Sequence, residues 1–312
     1  SITYNDIMMN MRNFSLVIIS ILGSVASYAQ TSPLNAKIPQ EIGVKTARQL
    51  KADNDKPLEY GYVDDRDVLM GKTVWEIIDL SERINFPLYF PTDTTNIGSD
   101  RRSLFDVLTK AIRSGEITEV YTDSYFNTKK SFKDIQASLT AIDTTDAARE
   151  QFNSGQKISE EYIVPYNLNS SHIAQYKIKG YWYFDKRQSE LKYRLLGICP
   201  MSPDVFSLIP GKDGDAKADV KEIEYNELFW VFFPAARDVL HEAKSFNDKN
   251  SAMPISFDQI LNSRRFNAVI YQEENVYGDR AIASYMKDNA QNQLLEAERV
   301  KEKIRDFEED MW

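Results

Sequence analysis

From Tyr176 to Leu195 the side chains alternate with a period of two, and this alternation limits the fold more than any other feature. Tyr176, Ile178, Trp182 and Phe184 fall on one side of an extended strand. Lys177, Lys179, Tyr181, Tyr183 and Asp185 fall on the other. Lys186-Arg187-Gln188-Ser189 is a polar turn, and Leu191, Tyr193 and Leu195 alternate on the return. The segment is therefore an antiparallel hairpin, expected to end at Pro200, Pro203 and Pro210. A hairpin alone is marginal in water, so its apolar face must be covered by other elements of the chain.

The flanking segments supply them. Thr73 and Glu76 have the spacing of a capping box, and Val74, Ile77, Ile78 and Ile84 follow at helical intervals. Asn85-Phe86-Pro87 would stop that helix, and Leu88-Tyr89-Phe90 reads as a short strand closed by Pro91. Ser103 and Asp106 can cap a second helix carrying Leu104, Val107, Leu108 and Ile112, with Gly115 as its stop. Ile117 to Tyr121 then reads as a strand. Beyond the hairpin a similar order recurs. Leu228 to Pro234 (LFWVFFP) parallels Leu88 to Pro91, Ser256 to Leu261 parallels Ser103 to Leu108, and Val269 to Tyr271 parallels Glu119 to Tyr121. The expected fold class is α+β: a central antiparallel hairpin flanked by two strand–helix–strand units. Duplication and chance likeness of short units both account for the recurrence.

The chain then closes on a long helix, from about 281 to 311. Ala290, Leu294, Ala297, Val300, Ile304, Phe307 and Met311 recur every three or four residues, with Glu, Lys and Arg between them. That pattern makes a narrow apolar seam suited to docking on one groove. Leu294, Val300, Ile304, Phe307, Met311 and Trp312 are accordingly the candidate interface residues.

The N-terminal residues indicate a compartment. Met11-Arg12-Asn13 is a short positive start, Phe14 to Ala26 is apolar, and Ser27-Tyr28-Ala29 gives a small-x-small cleavage pattern. These are the three parts of a secretory signal. The apolar run is shorter than the ~18–20 residues of a membrane span. Residues 1–29 are thus expected to be a cleaved leader, residues 30–55 an extended polar arm, and residues 56–312 a globular domain with the C-terminal helix. In an envelope of two membranes the destination is the periplasm. No cysteine follows the apolar run to carry a lipid.

Composition removes most chemistries. Lys and Arg number 38 against 47 Asp and Glu, a formal charge of −9 that disfavours nucleic acid as a partner. One cysteine excludes an internal disulfide or a Cys-rich zinc site, and two histidines exclude a His-rich metal cluster. Asp213, Asp215, Asp219 and Glu224 fit parts of a calcium-loop spacing, but Lys217 stands among the ligands and Ala218 replaces the turn glycine. His241 lies on a predicted helix with no nucleophile motif to serve, and His172 sits in a polar turn. Cys199 reads as a buried small hydrophobe. The adjacent acids Asp64-Asp65, Glu160-Glu161 and Glu308-Glu309 point to different sides, as solvated pairs do. No catalytic, cofactor-binding or metal-ligating residue is assigned. The 17 Tyr, 16 Phe and 4 Trp instead suit cores and protein interfaces. The competing reading, a periplasmic hydrolase, would use carboxylates such as Asp64 and Glu161.

Several long stretches, in order, resemble one family, the gliding-motility and secretion proteins GldN/PorN. They are YGYVDDRDVLMGKTVWEIIDLSERINFPLYFP (60–91), GYWYFDKRQSELKYRLLGICP (180–200) and LFWVFFPAARDVLHEAKSFN (228–247). SFDQILNSRRFNAVIYQEENVYGDRAI (256–282) and LLEAERVKEKIRDFEEDMW (294–312) complete the set. The resemblance implies a non-catalytic periplasmic subunit of the type IX secretion and gliding machinery, without a cofactor. It further implies rings built from copies of the chain with an outer-membrane lipoprotein of the GldK/PorK kind. An inner-membrane motor of the GldM/PorM kind would be linked to those rings.

Overall fold

The computed structural model describes residues 55–95, 101–144, 153–154, 163–209, 224–246, 255–286 and 290–309. The leader, the arm up to residue 54, Glu160, Glu161, Asp213, Asp215, Lys217, Ala218, Asp219, Met311 and Trp312 lie outside them. Among the described residues the chain is mixed α+β and is built on an antiparallel sheet of seven strands. Its spine is the expected hairpin, β5 (Gln175–Asp185) and β6 (Glu190–Ser202). The turn falls where the polar residues 186–189 predict it, and Ile178 faces Ile198 in the middle of the ladder. β6 runs through Pro200, however, instead of ending there. Pro200 pairs with Tyr176, and its carbonyl still accepts a hydrogen bond from Leu228 N at 3.1 Å.

β1 (Val68–Asp79) lies against the other side of β5, in register from Asp79 opposite Gln175 to Met70 opposite Phe184. This corrects the helix expected from Thr73. Val74, Trp75, Glu76 and Ile78 are all buried, because β1 is covered on both faces. A strand buried on both faces loses its alternation, and the apolar residues at 74, 77 and 78 then imitate helical spacing. Thr73 and Glu76 make no cap: Thr73 pairs with Tyr181 across the ladder. The strand expected at Leu88 to Phe90 is also corrected. Phe86–Tyr89 is a short helix, α1, with Pro87 in its first turn, where a missing N–H costs nothing. The Phe90–Pro91 peptide is cis.

The capped helices appear as the sequence indicates. α2 (Leu104–Ser114) starts at Ser103, whose hydroxyl accepts from Asp106 N, and stops at Gly115 with φ 81°. β2 is shorter than expected, Val120–Tyr121. Ile117 instead closes the helix end, its N–H bonded to Ala111 O, and is buried in the core. α3 (Phe132–Leu139) leads into a separate two-stranded ribbon, β3 (Thr140–Thr144) and β4 (Ile163–Asn167). After the hairpin come β7 (Asn226–Glu227), β8 (Trp230–Phe232) and α4 (Phe233–Glu242). The pair β9 (Lys244–Ser245) and β10 (Ile255–Ser256) precedes α5 (Phe257–Asn262), capped by Ser256 through Gln259 N. β11 (Val269–Glu273) completes the sheet, in the order β11-β1-β5-β6-β8-β2, with β7 on β6.

That order relates the two halves. The strand that follows each capped helix crosses the sheet to the far edge: β2 pairs β8, and β11 pairs β1. The sequence likeness of Leu88–Pro91 to Leu228–Pro234 does not carry into conformation, since Leu88 and Tyr89 are helical whereas Trp230–Phe232 is strand.

One face of the sheet presents Tyr176, Ile178, Leu195, Ile198 and Val231 to α2, α4 and α5, forming the main core. The far end of that face meets two C-terminal helices, α6 (Ile282–Tyr285) and α7 (Ala290–Glu309). These replace the single helix expected from 281 to 311; residues 287–289 and 310–312 lie outside the described set. The opposite face carries Trp75, Cys199, Met201 and Trp230, with Tyr121, Phe126 and Tyr271 beside them.

Candidate functional site

The apolar seam of α7 is where sequence reasoning placed an interface. Ala297, Val300 and Ile304 are buried against Val74, Ile270 and Ile282 of the chain's own sheet and α6. Phe307 stands edge-on to Phe184, ring centroids 6.0 Å apart, near the hairpin tip. Leu294 is 52% exposed and its neighbour Leu295 63%. The six candidate residues thus fall into three groups. Val300, Ile304 and Phe307 are held within the chain, Leu294 faces water, and Met311 and Trp312 lie outside the described residues. Each large side chain buried this way contributes about 1.5–3 kcal/mol.

Between α7 and the main core sits a buried ion pair the sequence did not reveal. Arg264 Nη2 and Nη1 donate to Glu76 Oε1 and Oε2 at 2.7 and 2.9 Å. Tyr193 OH donates to Glu76 Oε2 at 3.3 Å, and the guanidinium stacks on the Tyr193 ring at 4.1 Å. Arg264 holds a left-handed backbone, φ 50°. Burial drives the Tyr193 phenol well above its ordinary pKa, so it acts as a neutral donor. Tyr193 also explains Gly180 on β5: a Cβ there would overlap the Tyr193 ring.

A second cluster lies where α4 meets α5. Arg237 Nε and Nη2 donate to Asp258 Oδ1 and Oδ2 at 2.8 and 3.2 Å. His241 Nδ1 stands 4.0 Å from Asp258 Oδ2, and Asn262 Nδ2 donates to Asp258 Oδ1 at 2.8 Å. Tyr60 is clasped between two guanidinium groups, Arg237 at 4.1 Å and Arg194 at 4.3 Å, and its hydroxyl donates to Asn262 Oδ1 at 2.7 Å. Burial raises the Tyr60 pKa, against the pull of Arg237 and Arg194. The cluster pins Tyr60 onto the helix layer. His, Asp and Tyr stand together here, but the carboxylate is occupied by Arg237 and Asn262, so it is no free base.

The other expected groups have structural surroundings. Asp64 is exposed at a turn and accepts from Arg66 N and Nη2. His172 Nδ1 accepts from Asn169 N at 3.0 Å, and burial lowers its pKa. Cys199 is wholly buried, and that burial pushes its thiol far up. On the second sheet face Lys179 is enclosed by the rings of Tyr125, Trp75 and Phe126 at 4.7–5.6 Å, while its Nζ donates to Ser124 O at 3.0 Å. Burial lowers the Lys179 pKa.

Among the described residues no group of three or more His, Cys, Asp or Glu side chains is placed to hold a metal. No helix among them is long and apolar enough to cross a membrane. A comparison with curated proteins finds no match. The family model of gliding motility associated protein GldN matches residues 63–312. That span takes in both halves of the sheet, the α2, α4 and α5 layer and the C-terminal helices, so the chain belongs to the GldN family of gliding motility associated proteins.

Proposed function

We propose that the chain is a non-catalytic structural subunit of the type IX secretion and gliding machinery, working in the periplasm. In this reading it builds a ring with its own copies and with an outer-membrane lipoprotein of the GldK/PorK kind. The ring is linked to an inner-membrane motor of the GldM/PorM kind. The observation that carries the reading is the family match over residues 63–312, nearly all of the chain beyond the leader and arm. The side chains add support. The ionisable clusters at Glu76–Arg264 and Arg237–Asp258 are spent on holding elements together, and Cys199 is buried beyond reach of a substrate. The leader-like residues 11–29 support export.

The test is co-purification from detergent-solubilised envelopes of a tagged chain expressed at natural abundance. The lipoprotein and untagged copies of the chain should be recovered together in one large assembly. Recovery of the tagged chain alone, as a monomer, would contradict the reading.

A further inference from the structure

A groove of about 740 Å³ runs between the outer side of α2 and the α3–β3–β4 segment. Its floor is apolar, with Phe105, Ile135 and Leu139, and Phe132 stands half exposed at its edge. Arg102, Lys110 and Arg113 line it, against the single acid Asp106. Among the described residues none of these three cations has a carboxylate within 4.0 Å. Elsewhere Lys72, Lys129, Lys177, Arg187, Arg237 and Arg264 are each matched by one. On a chain of net charge −9, three cations left without acids around an apolar floor call for an occupant that is acidic and partly apolar.

The spacing of the cations sets the form of that occupant. Lys110 and Arg113 are three residues apart on α2 and so share a face near its C-terminal end. Arg102 stands two residues before the helix starts, so the cations bracket about 14 Å of helix. An extended chain covers that length with about four residues. Asp106 lies between the cations and would repel an acid at the middle, which leaves the middle to an apolar side chain over Phe105, Ile135 and Leu139. Gln136 and Asn167 are exposed in the lining, and their amides can pair with a peptide backbone. An anionic lipid would satisfy the cations and leave those amides idle.

We propose that the groove receives an extended acidic segment of another protein, in which one large apolar side chain stands between carboxylates about four residues apart. The carboxylate at one end meets Lys110 and Arg113, and the one at the other end meets Arg102. The apolar side chain covers the floor beside Phe132. The groove needs no ring to do this, so it can be tested on the purified chain alone.

The probe is a random-peptide display library, selected on the purified chain and counter-selected on the variant Arg102→Glu, Lys110→Glu, Arg113→Glu. The enriched sequences should carry Asp or Glu on both sides of a Phe, Leu, Met or Trp. The best of them, made with a fluorophore and titrated by anisotropy, should bind the chain less tightly as salt rises. The triple variant should weaken it by about tenfold or more, the sum expected of three surface ion pairs. The same peptide with Lys in place of its acids should bind the reversed groove. Lys110 and Arg113 are exposed, so the variant is expected to fold, and its thermal unfolding is checked alongside. Should it not fold, the milder pair Lys110→Gln, Arg113→Gln takes its place and should weaken binding to a smaller extent. No enriched sequence, an enriched sequence without acids, or binding indifferent to the reversal overturns the proposal. So does sedimentation with phosphatidylglycerol vesicles that the reversal abolishes while no peptide is enriched, which gives the groove to a lipid. A photo-crosslinker placed at Gln136 that joins only to other residues of its own chain, with or without the selected peptide, overturns it as well. None of these outcomes touches the ring, which stands or falls on co-purification with the lipoprotein.

Discussion

Glu76 shows what a sequence hides at the scale of one residue. Its spacing from Thr73 is that of a helix cap, yet it is 3% exposed in a strand and bound to Arg264, 188 residues away. A partner so distant leaves no local signal, and the hydrophobic pattern around it argues for the wrong element. The pair yields a quantitative expectation. Arg264→Ala leaves a buried carboxylate unpaired and should destabilise the fold by about 3–5 kcal/mol in urea unfolding. Replacing both partners by methionine should cost clearly less, because no charge is then stranded. Cys199 was legible, since its neighbours in Leu-Gly-Ile-Cys-Pro are apolar, and the thiol is buried as expected. It should resist alkylation in the native protein and react at once in denaturant; rapid native labelling would contradict the burial. Asp185 supplies a pH dependence. Hydrogen bonds from Arg187 hold its carboxyl below the usual 3.8 in the folded chain. Its contribution is therefore present above that value and lost as the pH falls through the lower, folded pKa. The stability gap between the wild type and Asp185→Asn should shrink below about pH 4.

Elements were legible where one face carries polar side chains. The hairpin alternates because Lys177 and Lys179 stand on its second face, and α2 and α5 announce themselves by serine caps three residues ahead of the N–H they accept. β1 was not legible, because cores on both faces erase its period. The C-terminal seam was legible, but its continuity was not, as α6 and α7 are separate helices. The seam now permits a sharp comparison. Ile304→Ala, in the packed part, should cost about 2–5 kcal/mol. Leu294→Ser, in the exposed part, should leave stability within about 0.5 kcal/mol. Equal effects at the two positions would mean that α7 is not docked as described. At β5, Gly180→Ala pushes a methyl into the Tyr193 ring, which Arg264 and Glu76 hold in place, and should cost about 1–3 kcal/mol.

For the whole molecule, the sheet order puts each half's last strand beside the other half's first, so neither half has a complete sheet without the other. The domain should consequently unfold in one transition, with the two halves melting together. The outline of this architecture was readable, as a hairpin with a strand–helix–strand unit on either side. The crossing of β2 and β11 was not, because strand order depends on pairings between residues some 190 positions apart in the sequence, such as Ile77 with Val269. The function proposed for this body is to be one repeating part of a larger ring, and the most direct check is the mass and shape of what it forms. The chain from residue 30 onward would be co-expressed with the lipoprotein, purified, weighed by mass photometry and imaged by negative-stain electron microscopy. Closed rings containing both proteins, lost when the lipoprotein is left out, are the expected result for the proposed role. A chain that stays monomeric beside its lipoprotein, with no ring at any concentration tested, would contradict the structural role itself.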